Sequence, residues 1–100
     1  MNSIYDGRLL VVDDNEELCR MLTDMLHREG FRQVDTAGTC AQALSFFEAA
    51  DGQAAMPDLV ILDINLPDGD GFSLMQKIRL RSQTPVLFLS ARDEDNDRLL

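Results

Sequence analysis

The sequence has 100 residues, of which 45% are hydrophobic, and a formal net charge of −9, which suits one compact domain able to bury its own core. The acidic excess argues against direct contact with nucleic acid, because phosphate backbones are bound chiefly by clustered Lys and Arg. The opening residues, Met1 to Gly7, lack the basic region and long apolar stretch of a signal peptide, and no apolar run approaches the roughly 18 residues of a membrane span. Cys19 and Cys40 lack metal-ligand spacing. We therefore expect a cytoplasmic protein with two buried thiols and no membrane contact.

The first predicted elements are a buried strand and an amphipathic helix. Arg8 to Asp13 reads R-L-L-V-V-D, a continuous apolar run typical of a strand covered on both faces. Apolar residues then recur at helical spacing as far as Gly30, which suits a left-handed cap. Asp14, followed three residues later by Glu17, is the predicted N-terminal cap of this helix.

A second strand and helix follow. Residues 31–37 contain β-branched and aromatic side chains but also three polar ones, so we expect the most polar strand, at an edge of the sheet. Thr39 and Gln42 then form a capping-box pattern that opens a second helix. This helix is predicted to end near Asp51 and Gly52.

Two more apolar runs complete the alternation. Asp58 to Asp63 reads D-L-V-I-L-D, and a Pro- and Gly-containing loop at residues 65–71 leads into a helix over residues 72–78. Thr84 to Ser90 is the fourth predicted strand, and the residues after it resemble the start of another helix. Strands that alternate with helices predict an α/β fold with right-handed crossovers and a parallel sheet covered on both faces.

Polar side chains stand at the ends of three of these four strands. Asp13 and Asp14 follow the first strand, Asp63 ends the third and Ser90 ends the fourth. Parallel sheets bind ligands outside the carboxyl ends of their strands, so the three carboxylates converge if the first and third strands are neighbours. Each Asp alone is explained equally well as a helix cap, but the coincidence favours a site. Mutual repulsion of clustered carboxylates raises at least one pKa unless a cation lies among them, and hard oxygen ligands of this kind suit Mg²⁺ together with phosphate.

Three segments resemble the successive signatures of the response-regulator receiver family. They are L-L-V-V-D-D-N, D-L-V-I-L-D-I-N-L-P-D-G-D-G-F and P-V-L-F-L-S-A-R, in the family's order and spacing from about Arg8 to Arg92. The resemblance implies a flavodoxin-like doubly wound parallel sheet of strand order 2-1-3-4-5. Of this order, the chain is expected to hold 2-1-3-4.

The resemblance also implies roles for individual residues of the cation site. Asp63 resembles the phosphoacceptor, and Asp13 and Asp14 resemble the acidic pair that holds Mg²⁺ directly or through water. Asn65 resembles the position whose backbone carbonyl completes the metal site. The expected metal ligands are therefore Asp13, Asp14, Asp63 and Asn65.

Four further positions match residues that shape the site or respond to it. Ser90 resembles the Ser or Thr whose hydroxyl turns toward the phosphoryl group and pulls its loop inward. Ala91 matches the small residue beside it, which leaves room for the phosphodonor. Pro67 and Gly71 match the turn behind Asp63, a structural role.

A function follows from this resemblance. Asp63 is expected to attack the phosphorus of a phosphohistidine on a sensor histidine kinase, which gives an acyl phosphate. The acyl phosphate would shift a conformational equilibrium that an output domain reads, and the expected output domain is the DNA-binding module of a transcription factor. The family's Lys, fifth strand and fifth helix would lie beyond Leu100, as would the output domain. Residues 1–100 are therefore expected to form a receiver domain incomplete at its C-terminus, which forms homodimers or self-associates.

Three other readings are weaker or remain open. A phosphatase of the haloacid dehalogenase type would have a second Asp two residues after its nucleophile, where this chain has Asn65. A dinucleotide-binding domain would need G-x-G-x-x-G after its first strand, where V-D-D-N-E-E stands. A receiver-like interaction module that phosphorylation does not switch remains the alternative.

Overall fold

The computed structural model describes residues 4–48 and 56–89. Within these ranges a short 3₁₀ turn, Ile4–Asp6, precedes alternating strands and helices. In chain order they are β1 (Arg8–Val12), α1 (Glu16–Glu29), β2 (Gln33–Ala37), α2 (Cys40–Ser45), β3 (Leu59–Asp63), β4 (Asn65–Leu66), β5 (Gly69–Asp70), α3 (Gly71–Arg79) and β6 (Val86–Leu89). No helix in these ranges is long and apolar enough to cross a membrane.

The main sheet is parallel, with strand order β2-β1-β3-β6. The predicted order 2-1-3-4 is confirmed, with β6 as its fourth strand. β2 lies at an edge, as its polar composition predicted. Because every pair of strands in this sheet is parallel, the carboxyl ends of β1 and β3 share one edge of the sheet.

The core lies on both faces of the sheet, which explains the continuous apolar runs of β1 and β3. Successive side chains of a strand point to opposite faces, and in β1 Leu10 and Val12 belong to the larger cluster, which includes Leu74 and Ile78 of α3. Val11 belongs to the second cluster, with Cys19 of α1. The central strands are therefore held between helices on both sides, and the edge where they end has a fixed position.

The cap of α1 differs from the sequence prediction. Asn15, not Asp14, has the extended cap conformation, and its side-chain oxygen accepts a hydrogen bond from the backbone N–H of Leu18 at 3.0 Å. The prediction of Asp14 as the cap was therefore wrong by one residue. The predicted C-terminal cap of α1 is confirmed. Gly30 ends the helix with a φ of 115°, in the left-handed region that glycine adopts without steric cost.

α2 begins as predicted and ends earlier. The Thr39 side chain accepts from the backbone N–H of Gln42 at 3.1 Å, and the Gln42 side chain accepts from the N–H of Gly38 at 2.7 Å. The α-helix ends at Ser45 and continues as turns to Glu48. The predicted end near Asp51 and Gly52 lies outside the described residues.

The segment predicted as a plain loop after β3 contains a small hairpin. β4 and β5 pair in antiparallel register, Asn65 with Asp70 and Leu66 with Gly69. Pro67 and Asp68 form the two-residue turn between them. A ladder of two residues per strand leaves no periodic pattern in a sequence, so only its turn residues were visible.

Candidate functional site

The ends of β1 and β3 bring two acidic side chains together. Val12 is opposite Leu62 in the parallel register, so the next residues along the chain, Asp13 and Asp63, lie side by side at this edge of the sheet. Both are buried, with 5% and 7% of their surface exposed. Burial of two carboxylates is costly unless hydrogen bonds or a cation compensate for it.

Asp14 is the third member of this group. One carboxylate oxygen from each of Asp13, Asp14 and Asp63 lies within 4.8 Å of the other two. Asp14 is exposed, and because Asn15 supplies the helix cap, the Asp14 carboxylate is not needed there. The acidic cluster thus combines two buried oxygen donors with one that faces solvent.

Backbone contacts fix the position of Asp13. Its Oδ1 accepts from the N–H of Asn15 at 2.9 Å, and its own N–H donates to the carbonyl of Ala37 at 3.0 Å. The thiol of Cys19 donates to the Asp13 carbonyl at 3.2 Å. Burial, and after it the charge of Asp13, raises the pKa of the Cys19 thiol, so the sulfur keeps the proton that it donates.

Gly71 holds the end of β3 from the other side. It is buried at the start of α3, and its N–H donates to the carbonyl of Ile64 at 2.6 Å. A Cβ on Gly71 would come closer than 3.0 Å to the carbonyl oxygen of Asp63. The residue must therefore be glycine because two backbone segments approach closely here, a structural role like the one predicted for it.

Two acidic residues of the hairpin have contacts that the sequence analysis did not find. Asp68 accepts from the N–H groups of Cys40 and Ala41 at 2.7 and 3.1 Å. Asp70 caps α3 by accepting from the N–H of Ser73 at 2.8 Å. These backbone hydrogen bonds, from Cys40 in the first case and Ser73 in the second, are the main reason that the pKa of each carboxyl is lowered.

The remaining predicted site residues are placed as follows. Asn65 is exposed at the start of β4, two residues beyond Asp63. Pro67 is exposed in the turn of the hairpin. Ser90 and Ala91 lie outside the described residues, so their roles stay predictions.

The donor set fits a hard divalent cation. Three carboxylates whose oxygens lie within 4.8 Å of one another repel unless positive charge lies among them. Mg²⁺ is bound in proteins by one or two carboxylates plus waters and phosphate oxygens. A solvent-open cleft of about 630 Å³ reaches Asp13 and Asp14 from the side of α1 and β2, so water and a hydrated ion have access.

The fold and the site together define a class of protein: a doubly wound α/β domain with an acidic cluster that could hold a cation at the carboxyl ends of its central strands. The sequence profile of the response regulator receiver domain matches residues 9–99. The chain therefore belongs to the response regulator receiver family, as its motifs predicted.

Curated relatives and solved structures agree with this assignment. The chain is 42% identical over 93 residues to the regulatory protein VanRc of Enterococcus gallinarum, with 92% of this chain and 37% of VanRc covered. It is 41% identical over 91 residues to the KDP operon transcriptional regulatory protein KdpE of Escherichia coli, with 91% and 38% covered. The chain thus spans little more than a third of the length of these relatives.

A solved structure is similar in fold as well as in sequence. The MaeR response regulator bound to beryllium trifluoride superposes with a TM-score of 0.73 at 27% identity, covering 88% of this chain and 70% of that one.

Proposed function

We propose that this chain is the phosphoacceptor domain of a two-component response regulator. Asp63 accepts a phosphoryl group from a phosphohistidine of a sensor histidine kinase, and a Mg²⁺ ion is held by Asp13, Asp14, Asp63 and the backbone carbonyl of Asn65. The observation that carries this proposal is the convergence of three carboxylates within 4.8 Å at the ends of two central strands. A helix-capping role for any one of these Asp residues would not explain why all three carboxylates converge.

The geometry suits Asp63 as the nucleophile. Its carboxylate is held on a strand end that is fixed by Gly71, and a fixed nucleophile loses less entropy on reaching an in-line geometry. An oxygen–phosphorus bond to Asp63 forms while the nitrogen–phosphorus bond to the kinase histidine breaks, which gives an acyl phosphate and a free imidazole. Mg²⁺, when bound, supplies neutralisation of charge on the phosphoryl oxygens. The binding of beryllium trifluoride to MaeR, a trigonal group with a phosphoryl-like shape, supports the same chemistry here.

Ser90 and Ala91 complete the proposal on the strength of the family resemblance. The Ser90 hydroxyl donates to the new phosphate and biases its loop, and Ala91 leaves space for the donor. A Ser90→Ala variant is therefore expected to accept phosphate but to change conformation less. If phosphorylation shifted the NMR spectrum of this variant as fully as that of the wild-type protein, Ser90 would have no role in the conformational change.

The output is proposed from the relatives. KdpE is named as a transcriptional regulatory protein, and this chain matches only the receiver portion of such proteins. We propose that the phosphorylated domain controls a DNA-binding output domain in the cytoplasm, while the acidic receiver itself makes no contact with nucleic acid. It acts as a regulatory phosphoacceptor and not as an enzyme with sustained turnover.

Stoichiometric phosphorylation tests the proposal. The chain contains no Lys after Ser90, so the experiment uses a chain extended past Leu100 through the family's Lys, with Mg²⁺ and a small phosphodonor such as acetyl phosphate. Intact-mass spectrometry should show one base-labile phosphoryl group, and Asp63→Asn should prevent it. Asp58→Asn is the matched control, because Asp58 is exposed and directly precedes the opposite end of the same strand, and it should be labelled like the wild-type chain.

The outcomes separate the two open functions. Equal labelling of Asp63→Asn and Asp58→Asn would show that Asp63 is not the acceptor. Absence of any label in the wild-type extended chain would favour the receiver-like interaction module that phosphorylation does not switch.

A further inference from the structure

Asp68 is hydrogen-bonded to a part of the chain that belongs neither to its own hairpin nor to the acidic cluster. It lies in the turn between β4 and β5, and its two carboxylate oxygens accept from the backbone N–H groups of Cys40 and Ala41. These donors are 28 and 27 residues away in the sequence. The contact therefore joins the segment that follows Asp63 to a different part of the fold.

The contact is not needed to start α2. Thr39 already provides the side-chain cap of this helix by accepting from the N–H of Gln42. Asp68 accepts from the two preceding N–H groups, those of Cys40 and Ala41. Backbone N–H groups in the first turn of a helix have no partner within that helix. Ala41 is exposed whereas Cys40 is buried, so water can replace the carboxylate at the Ala41 N–H group. What water cannot replace is the attachment of the hairpin that carries Asp68.

Two further contacts make this junction tight. Leu66 packs against the core cluster that contains Cys40. A Cβ on Gly69 would lie 3.2 Å from the Cys40 sulfur, so the hairpin backbone approaches α2 closely. The charge of Asp68, after burial, raises the pKa of the Cys40 thiol, as expected for a carboxylate held close to that side chain.

Asn65 is part of the same hairpin. It is paired with Asp70, which in turn caps α3 through Ser73. The hairpin is thus attached to α3 at its base and to α2 at its turn. Loss of the second attachment leaves two ladder residues per strand to hold the hairpin, and a ladder of this length is marginal on its own.

We propose that Asp68 is a positioning residue of the cation site: by docking the hairpin on α2 it fixes the backbone of Asn65 relative to Asp13 and Asp63. The inference rests on the proposed function, in which the Asn65 carbonyl is a metal ligand. Asp68 itself does not touch the ion in this scheme. It acts through the two backbone N–H groups that it accepts from.

Titration of the 100-residue chain with Mg²⁺ alone, followed by calorimetry and by the NMR shift of the Asn65 amide, tests the proposal. Asp68→Ala should weaken Mg²⁺ binding about tenfold, at the lower end of what loss of an outer-shell contact costs. Asp68→Asn keeps one oxygen acceptor and should restore part of that affinity.

Thr39→Ala is the matched control because it removes the other side-chain contact to the same helix end. It should lower the melting temperature yet leave Mg²⁺ affinity within about twofold, since a cap acts on stability. Equal affinity in Asp68→Ala and the wild-type chain would overturn the inference. So would equal losses in Asp68→Ala and Thr39→Ala, because stabilisation of α2 would then explain both.

Failure of the inference can be distinguished from failure of the proposed function. If Mg²⁺ binds the wild-type chain and Asp14→Asn weakens that binding about tenfold or more, the cation site stands whatever Asp68→Ala does. If the wild-type chain binds no Mg²⁺, the site and the role of Asp68 are both wrong. If Asp68→Ala does not fold by far-UV circular dichroism, the folded Asp68→Asn chain decides, and wild-type affinity together with an unshifted Asn65 amide would refute the inference.

Discussion

Replacement of Gly71 by Ala is the most direct test of how the end of β3 is held. In an ordinary helix this change is favourable by about 0.5–1 kcal/mol, because Ala has less conformational freedom to lose. Here the new methyl group would meet the Asp63 carbonyl oxygen closer than 3.0 Å, with the Ile64 Cα at 3.2 Å. Both neighbours are backbone, so no side-chain rotation can relieve the clash.

The magnitude follows from this geometry. Forcing an extra methylene or methyl group into a packed site costs about 1–3 kcal/mol, and we expect Gly71→Ala to destabilise the chain by that amount. At about 4–8 °C per kcal/mol for a domain of this size, the melting temperature should fall by roughly 4–24 °C. The Asp63 carboxylate should move with its backbone, so Mg²⁺ affinity should fall as well.

Thermal unfolding followed by far-UV circular dichroism measures this effect, with Gly38→Ala as the control. The nearest atom to a Cβ on Gly38 is a side-chain oxygen of Gln42 at 3.6 Å, an ordinary contact. Gly38→Ala should therefore stay within about 0.5 kcal/mol of the wild-type chain. A melting temperature for Gly71→Ala at or above that of Gly38→Ala would show that the strand end is not constrained as argued.

Three further predictions concern the cation, pH and association. Asp14→Asn should lower Mg²⁺ affinity about tenfold or more with unchanged circular dichroism, since Asp14 is exposed; unaltered titration curves would contradict this. Hydrogen bonds from Ser73 lower the pKa of Asp70 below 3.8, so its stabilisation is complete above that pH and is lost as the pH falls through the folded-state value. The difference in melting temperature between the wild-type chain and Asp70→Ala should therefore become smaller in acid. A difference that stays constant with pH would refute this role of Asp70. Residues 1–100 alone should self-associate in light scattering, because β6 is an edge of the described sheet and Leu87 is 58% exposed. Leu87→Lys should reduce the self-association, and a wild-type chain that is monomeric at all concentrations would disprove the prediction.

The central strands and the acidic cluster were predictable because each depends on a local pattern. Continuous apolar runs are found in strands buried on both faces, and parallel strands place their carboxyl ends at one edge. Asp13 and Asp63 therefore followed from the two runs once β1 and β3 were assumed to be neighbours. The edge position of β2 followed from its polar side chains in the same way.

The features that could not be predicted depend on choices among equivalent residues or on distant contacts. Asp13, Asp14 and Asn15 are three consecutive good helix caps, and a local pattern does not show that Asn15 is the one that accepts from the Leu18 N–H. Asp70 did have a local signal, since it precedes the first apolar residues of α3. The partners of Asp68 had none, because they are more than 25 residues away.

The position of β1 in the sheet has a consequence for biosynthesis. β1 leaves the ribosome first among the strands, yet it is central, and its residue Leu10 pairs both with Asp35 of β2 and with Val60 of β3. At about 5–20 residues per second, the second of these partners is made roughly 2.5–10 s after β1. During that interval the most apolar strand of the nascent chain has at most one neighbour. The apolar side chains of β1 must therefore be covered by α1, by β2 or by a chaperone until β3 has been synthesised.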